Sequence, residues 1–367
     1  MIDANNLYSF FLKKKINFFT GVPDSVLKNF TNKLPSNSKN HLIAVNEGSA
    51  ISIGIGYYLS KKKLPCVYFQ NSGLGNAINP LISIASNTVY SIPMCLLIGW
   101  RGALGQKDEP QHKAKGKITI SLLKLLKIPY CIVESDKDFV KIGKLINISQ
   151  KKNIAIAILI KNSKIIKEEI RKSKKVYKKG INRLDFIKKL VNVIDKNSRI
   201  VATTGYASRE LYHLRKVENL KNGKDFYMVG GMGHSSSVSI AYSAYSQKKT
   251  ICLDGDGSLL MHLGSLNTLN NKINLGKFKH ILLNNFCHES VGGQKTNANK
   301  IDFSKLTKSI GYKKYYFIKT SAEVLPKLKS FLKTKGPSFL EVIISPGSLK
   351  NLVRPKDFKK IKDIFIG

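Results

Sequence analysis

Short apolar runs of strand length recur along the whole chain, separated by amphipathic stretches of helix length, and this alternation restricts the fold more than any other feature. In the first half the runs are residues 17–20, 42–45, 66–70, 94–98 and 154–159. The second half has 199–204, 226–229, 250–253, 280–283 and 339–344, with helical patterning between runs at 24–34, 47–59, 209–216 and 258–271. Such alternation predicts an α/β architecture of parallel sheets with crossover helices, whose sites lie beyond the carboxyl ends of the strands. A chain of 367 residues is long for one domain and suits two. Between the halves, residues 161–180 are dense in Lys and poor in apolar side chains until Ile181. The expected division is therefore 1–165, a Lys-rich linker at 166–180, and 181–367.

The formal charge of +39 raises the question of a nucleic-acid partner. Arg supplies only 7 of the 62 basic residues, and Lys is spread over the chain instead of gathered in one arm. Bidentate reading of phosphates and bases favours Arg, so a solvated Lys surface is expected, with no nucleic-acid partner. That surface still draws anionic substrates. Five scattered cysteines, none in a CxxC pair, give no disulfide framework or zinc site. No apolar run approaches the ~20 residues that cross a bilayer, and the first residues lack a stretch of signal-peptide length. A cytoplasmic setting without membrane attachment is expected.

The sharpest chemistry follows the run at 250–253. It leads into Asp254-Gly255-Asp256-Gly257-Ser258, and 26 residues then separate Gly257 from Asn284-Asn285, which ends another apolar run. A hard cation such as Mg²⁺ takes oxygen ligands and shares them with phosphates. Asp256 offers a carboxylate, Asn285 an amide oxygen and Cys287 a backbone carbonyl. The glycines let main chain approach a diphosphate, whose charge a helix N-terminus favours. Either element alone is common; both at this spacing, each after a strand, are far less so.

With these residues the chain resembles the thiamine-diphosphate-dependent decarboxylases, and among them the branch acting on phosphonopyruvate. Further matching stretches are Gly21-Val22-Pro23-Asp24-Ser25, Val45-Asn46-Glu47-Gly48, Gln70-Asn71-Ser72-Gly73-Leu74-Gly75-Asn76 and Gly99-Trp100-Arg101-Gly102. Lys107-Asp108-Glu109-Pro110-Gln111-His112, Thr203-Thr204-Gly205, Gly231-Met232-Gly233-His234 and His288-Glu289-Ser290-Val291-Gly292-Gly293-Gln294 continue the series in family order, over nearly the whole chain. The resemblance implies a pyrimidine-binding domain followed by a diphosphate-binding domain, with no central third domain, and thiamine diphosphate with Mg²⁺ as cofactors.

Residue by residue, it implies that Glu47 hydrogen-bonds the cofactor's aminopyrimidine; taken alone, Glu47 reads first as a helix-initiating acid. Met232 stands where the family places an apolar wedge under the cofactor, after the Gly230 carbonyl, although a bare Met also suits a core. Thr204, Gly205 and Tyr206, with Gly257 and Ser258, match the diphosphate-binding positions, and an ordinary N-cap is compatible with that. Asp24 is a candidate proton relay or a helix cap. Arg101, Lys107 and His112 lie in a Gly- and Pro-containing loop that reads as mobile and suits a phosphonate dianion. His288, Glu289 and Gln294 border the cation ligands and are expected to orient substrate or move protons. Lys295 and Phe286-Cys287 depart from the Pro and Gly-Ala expected of the family. The remaining motif-free residues His41, His213, His262 and His280 read as structural or surface groups.

The implied reaction is non-oxidative decarboxylation of 3-phosphonopyruvate to phosphonoacetaldehyde and CO₂, in phosphonate biosynthesis. The resemblance also implies a homodimer or homotetramer with shared active sites. One alternative is decarboxylation of sulfopyruvate; enzymes for it are often split into two polypeptides, so a fused chain favours the phosphonate. Another is an inactive thiamine fold that binds nucleic acid. That protein would be expected to lack Glu47 or the cation ligands, and all are present.

Overall fold

Residues 66–69, 95–100 and 156–160 are buried without a break, as strands covered on both faces by crossover helices must be. A computed structural model describes residues 1–35, 38–162, 164–165, 180–220, 223–349 and 351–367. The chain divides into two compact units, Met1–Ser173 and Lys174–Gly367. The linker expected at 166–180 lies outside the described residues, Gly180 excepted.

In the first unit, β1 (Phe19–Gly21), β2 (His41–Ile43), β3 (Cys66–Gln70), β4 (Cys95–Trp100), β5 (Tyr130–Val133) and β6 (Ile156–Lys161) form a parallel sheet of order β2-β1-β3-β4-β6-β5. Phe11, Phe19 and Phe30 pack edge to face beneath it, with ring centres 5.8–6.1 Å apart, the arrangement that aromatic quadrupoles favour. The second unit contains β7 (Arg199–Ala202), β8 (Lys224–Tyr227), β9 (Thr250–Gly255), β10 (Phe278–Asn284), β11 (Lys314–Ile318) and β12 (Ser338–Ile343). Its order is β11-β12-β10-β9-β7-β8, again parallel throughout.

Read from β8, the second sheet repeats the strand order of the first. In each, the connections reverse direction beside the first strand: between β1 and β3, and between β7 and β9. Diverging connections open a crevice at that point, where open α/β sheets bind ligands. Among the described residues, no helix is long and apolar enough to cross a membrane.

Two strands escape the sequence pattern, β5 and β11, and both are sheet edges. Only one residue of each is fully buried, Val133 and Ile318, so neither forms a continuous apolar run. Two expected helices are shorter than their patterning. Within 24–34 only Lys28–Thr31 is α-helical, because Asp24 Oδ2 holds the Val26 and Leu27 N–H groups in a turn. Within 258–271 the helix Asp256–Met261 breaks at His262, and a 3₁₀ stretch, Leu263–Asn270, follows.

Candidate active site

At the switch point of the second unit, β9 turns directly into the helix Asp256–Met261. Asp256 opens that helix and is only 3% exposed. Its carboxylate accepts from Thr296 Oγ1 at 2.5 Å and from the backbone N–H groups of Gly257 and Asn285. Burial outweighs these donors and pushes its pKa up to about 6.

Asn284 ends β10 and Asn285 is the first residue beyond it. Asn284 is wholly buried and donates to Glu341 Oε1 at 2.7 Å, a core contact. Asn285 lies on the Asp256 side: its Oδ1 accepts from Cys287 N at 3.1 Å and its Nδ2 donates to Glu289 Oε2 at 3.0 Å. The Cys287 carbonyl accepts from Glu289 N at 2.9 Å. The loop then closes as a hairpin through the Cys287–Lys295 bridge, with His288 N donating to Gln294 O at 2.8 Å. Gln294 folds its side chain over Gly292.

His288 rests against the glycine turn. A Cβ at Gly257 would lie 2.8 Å from His288 Nδ1 and 3.5 Å from Met232 Cε, so Met232, His288 and the turn converge. Burial lowers the His288 pKa to about 4, and its ring is neutral at pH 7. Hydroxyl groups tie the neighbouring loops together. Thr203 Oγ1 and Ser258 Oγ are 2.7 Å apart, Ser258 Oγ accepts from Gly233 N at 3.2 Å, and Thr204 Oγ1 accepts from Gly230 N at 3.4 Å. Gly205, Gly230 and Gly233 all have positive φ, at 101°, 76° and 88°, a conformation that side chains resist. A Cβ on Gly233 would also come 2.5 Å from the His262 ring. His262 itself stacks on His234, with ring centres 4.5 Å apart.

Glu289 is engaged on both oxygens. Oε2 accepts from Arg183 Nη1 at 2.8 Å as well as from Asn285, and Oε1 accepts from Gly347 N. The role in substrate or proton handling expected for it therefore meets a carboxylate already committed to structure.

In the first unit, Glu47 is the first residue of the helix Glu47–Lys61, and Asn46 caps it by accepting from Ser49 N at 2.8 Å. Glu47 is buried; Oε2 accepts from Asn76 Nδ2 at 2.8 Å. A Cβ on Gly73 would fall 2.1 Å from Glu47 Oε1, so the glycine makes room for the carboxylate. Asp24, 1% exposed, accepts from Gln70 Nε2 at 2.6 Å and caps its own turn through Val26 and Leu27. Desolvation raises its pKa. The Arg101 guanidinium, expected to meet substrate, pairs in bidentate fashion with Asp108 at 2.8 and 2.5 Å. Burial acts to raise the Asp108 pKa, yet Arg101 and the Glu109 and Gly102 N–H groups hold it well below the usual carboxylate range. Lys107 is exposed, and His112 sits on the helix Pro110–Leu125 instead of in a loop. Arg101 and Lys107 lie in the loop before that helix, where Trp100 Nε1 donates to Gly116 O at 3.0 Å and Gly102 packs against the His112 carbonyl.

Four residues that no motif role pointed to hold these groups: Asn76, Thr296, Arg183 and Glu210. Asn76 lies within a motif stretch, and Thr296 stands two residues beyond one, so proximity was the available signal; Arg183 and Glu210 carried none.

In the second unit, the Asp256 carboxylate, the Asn285 amide oxygen, the Cys287 carbonyl and the glycine turn all lie just past the carboxyl ends of the neighbouring strands β9 and β10. This donor set fits a divalent cation with a diphosphate. Comparison with known proteins agrees. The model of the thiamine pyrophosphate enzyme N-terminal TPP-binding domain matches residues 4–121, and that of the C-terminal TPP-binding domain matches 203–342. A phosphonopyruvate decarboxylase of Streptomyces viridochromogenes is 30% identical over 373 residues, covering 97% of this chain and 92% of that one. A sulfopyruvate decarboxylase of Methanosarcina acetivorans is 28% identical over 342 residues, covering 86% and 85%. The beta subunit of the Methanothermobacter thermautotrophicus sulfopyruvate decarboxylase is 31% identical over 186 residues, 51% of this chain and 94% of that subunit. The Methanosarcina protein spans both halves in one polypeptide, so fusion does not separate phosphonate from sulfonate enzymes. The chain belongs to the thiamine-diphosphate-dependent decarboxylase family.

Proposed function

We propose that the chain decarboxylates 3-phosphonopyruvate to phosphonoacetaldehyde and CO₂, with thiamine diphosphate and Mg²⁺, as a cytoplasmic step of phosphonate biosynthesis. The observation that carries this reading is similarity along 97% of the chain to the Streptomyces enzyme named for that substrate. Residues 1–165 would bind the pyrimidine and 181–367 the diphosphate. Asp256, Asn285 and the Cys287 carbonyl would hold Mg²⁺. Thr204, Gly205, Tyr206, Gly257 and Ser258 would meet the diphosphate, and Gly230, Met232 and Glu47 the aminopyrimidine.

When bound, thiamine diphosphate supplies the carbon nucleophile and the electron sink that loss of CO₂ from a 2-oxo acid requires. The chain supplies position and proton control. Glu47 would present to the aminopyrimidine a carboxylate fixed by Asn76 and given room by Gly73, and Met232 would exclude water from the glycine turn. His288, neutral at pH 7, takes up or gives the proton that aldehyde release needs. Arg101 is paired to Asp108; Lys107 and His112 of the first unit and Gln294 of the second are the side chains assigned to the phosphonate. Asp24, capped and hydrogen-bonded, holds Gln70.

The test is aldehyde formation from phosphonopyruvate and sulfopyruvate side by side, with and without thiamine diphosphate and Mg²⁺. Cofactor-dependent turnover of phosphonopyruvate, at least about tenfold preferred, is expected; tenfold is 1.4 kcal/mol of discrimination. The sulfonate reading has its own support in the single-chain Methanosarcina relative, and preference for sulfopyruvate would establish it instead.

Shared active sites in a homodimer or homotetramer form part of the reading. Co-expressed Glu47→Ala and Asp256→Ala chains, each inactive alone, should then recover about a quarter of wild-type activity, since half the dimers are hybrids with one intact site of two. No recovery in a purified hybrid would place Glu47 and Asp256 of each site on one chain.

A further inference from the structure

We infer that Glu289 is a positioning residue for the cation site, setting which end of the Asn285 amide faces the metal. The inference rests on reading Asp256, Asn285 and the Cys287 carbonyl as cation ligands. An asparagine amide has nearly the same shape either way round, and only its hydrogen-bond partners decide whether oxygen or NH₂ points at a given place. With NH₂ turned inward, Asn285 would present two protons to a cation.

Two neighbours specify the amide. Cys287 N donates to Oδ1 at 3.1 Å, and Glu289 Oε2 accepts from Nδ2 at 3.0 Å. A carboxylate cannot donate, so Glu289 admits only the NH₂ end. It lies in a surface hairpin, yet its carboxylate is anchored from two other segments. Arg183, at the start of the helix Arg183–Val193, reaches Oε2 at 2.8 Å. Arg183 also forks onto Glu210 of the helix Tyr206–Lys216 at 2.8 and 3.0 Å, and donates to Gly347 O at 2.9 Å. Gly347 N returns a hydrogen bond to Glu289 Oε1. Arg183 and Glu210 are 5% and 1% exposed, and the guanidinium lies 5.1 Å from the Tyr206 ring centre. Charge-assisted and buried, this fork holds its geometry better than a surface pair does. The order of support runs from Arg183 and Glu210 to Glu289, then to Asn285, then to the cation. Partners that orient metal ligands commonly change affinity 10–100-fold when removed.

The test uses Mn²⁺ as the probe, titrated by electron paramagnetic resonance into full-length protein with saturating thiamine diphosphate. Glu289→Ala is expected to weaken Mn²⁺ binding by about tenfold or more, and Glu289→Gln, which keeps an acceptor, by less. Asn285→Asp presents oxygen whichever way it turns, so in that background Glu289→Ala should cost less than about threefold. Arg183 keeps Glu210 in every variant, which favours folding; should Glu289→Ala fail to fold, Glu289→Gln carries the same comparison. Equal weakening in both backgrounds, or none in the wild-type background, would overturn the role assigned to Glu289. An Asn285→Ala protein with unchanged Mn²⁺ affinity would instead overturn the cation reading, and this inference with it.

Discussion

Replacing Glu47 by glutamine is expected to lower the decarboxylation rate about 10³-fold, within the range that a positioned proton carrier contributes, with little change in thiamine diphosphate affinity. Glutamine matches glutamate in volume and fits the space that Gly73 leaves, so the fold is preserved. An amide cannot exchange a proton as a carboxyl group does. Affinity is spared because the cofactor's charge would be met by the loops after β7, β9 and β10, which the substitution does not touch. Steady-state rates with aldehyde trapping, beside a cofactor titration, check both halves. A Glu47→Gln enzyme of wild-type rate would reduce Glu47 to a helix-initiating residue. Gly73→Ala should act in the same direction, since its methyl would displace the carboxylate whose Oε1 lies 2.1 Å from that Cβ.

Asp256→Asn is expected to abolish Mg²⁺-dependent cofactor binding, by at least about 100-fold, while making the metal-free protein harder to unfold. Burial raises the Asp256 pKa from 3.8 to about 6. A carboxyl group raised in the folded state favours folding fully below its unfolded value and loses that contribution as pH climbs through its folded value. Metal-free wild-type protein should therefore weaken by about 3 kcal/mol between roughly pH 4 and 6. The asparagine variant has no charge to bury and should lack this decline. At pH 7.5 without metal it should unfold a few degrees above wild type. Thermal unfolding across pH would decide the matter, and parallel profiles for the two proteins would refute it. A buried carboxylate with the cation-binding role proposed for Asp256 trades apoprotein stability for function.

Where chemistry falls on adjacent residues, the sequence was readable. Asp256, Gly257 and Ser258 form one turn, Asn285 and Cys287 one strand end, and the structure brings these together with Met232 and His288. Residues that work across long separations were not readable. Asn76 meets Glu47 over 29 positions, Arg183 meets Glu210 over 27, and Thr296 meets Asp256 over 40. The commitment of Glu289 to Arg183 and Gly347 was hidden for the same reason, whereas Arg101 pairs with Asp108 only seven positions on, and there the choice among several nearby charged residues is made only by folding. Both sheets were legible in their centres and not at the edges, where β5 and β11 are half covered and their apolar content is diluted. Asp24 shows how a side chain overrides periodicity. Its hydrogen bonds to Val26 and Leu27 hold a turn where the apolar spacing alone suggests a helix.

The hydroxyl links among Thr203, Ser258, Gly233, Thr204 and Gly230 have a thermodynamic consequence. The chain's own groups thereby join three separate connections into one frame. A frame already ordered loses little backbone entropy on association. Its heat-capacity change should therefore scale with the apolar surface the ligand covers, without the larger change that accompanies coupled folding. Encounter with the cofactor is then governed by diffusion and by the chain's strong positive field, and not by the wait for a loop to fold.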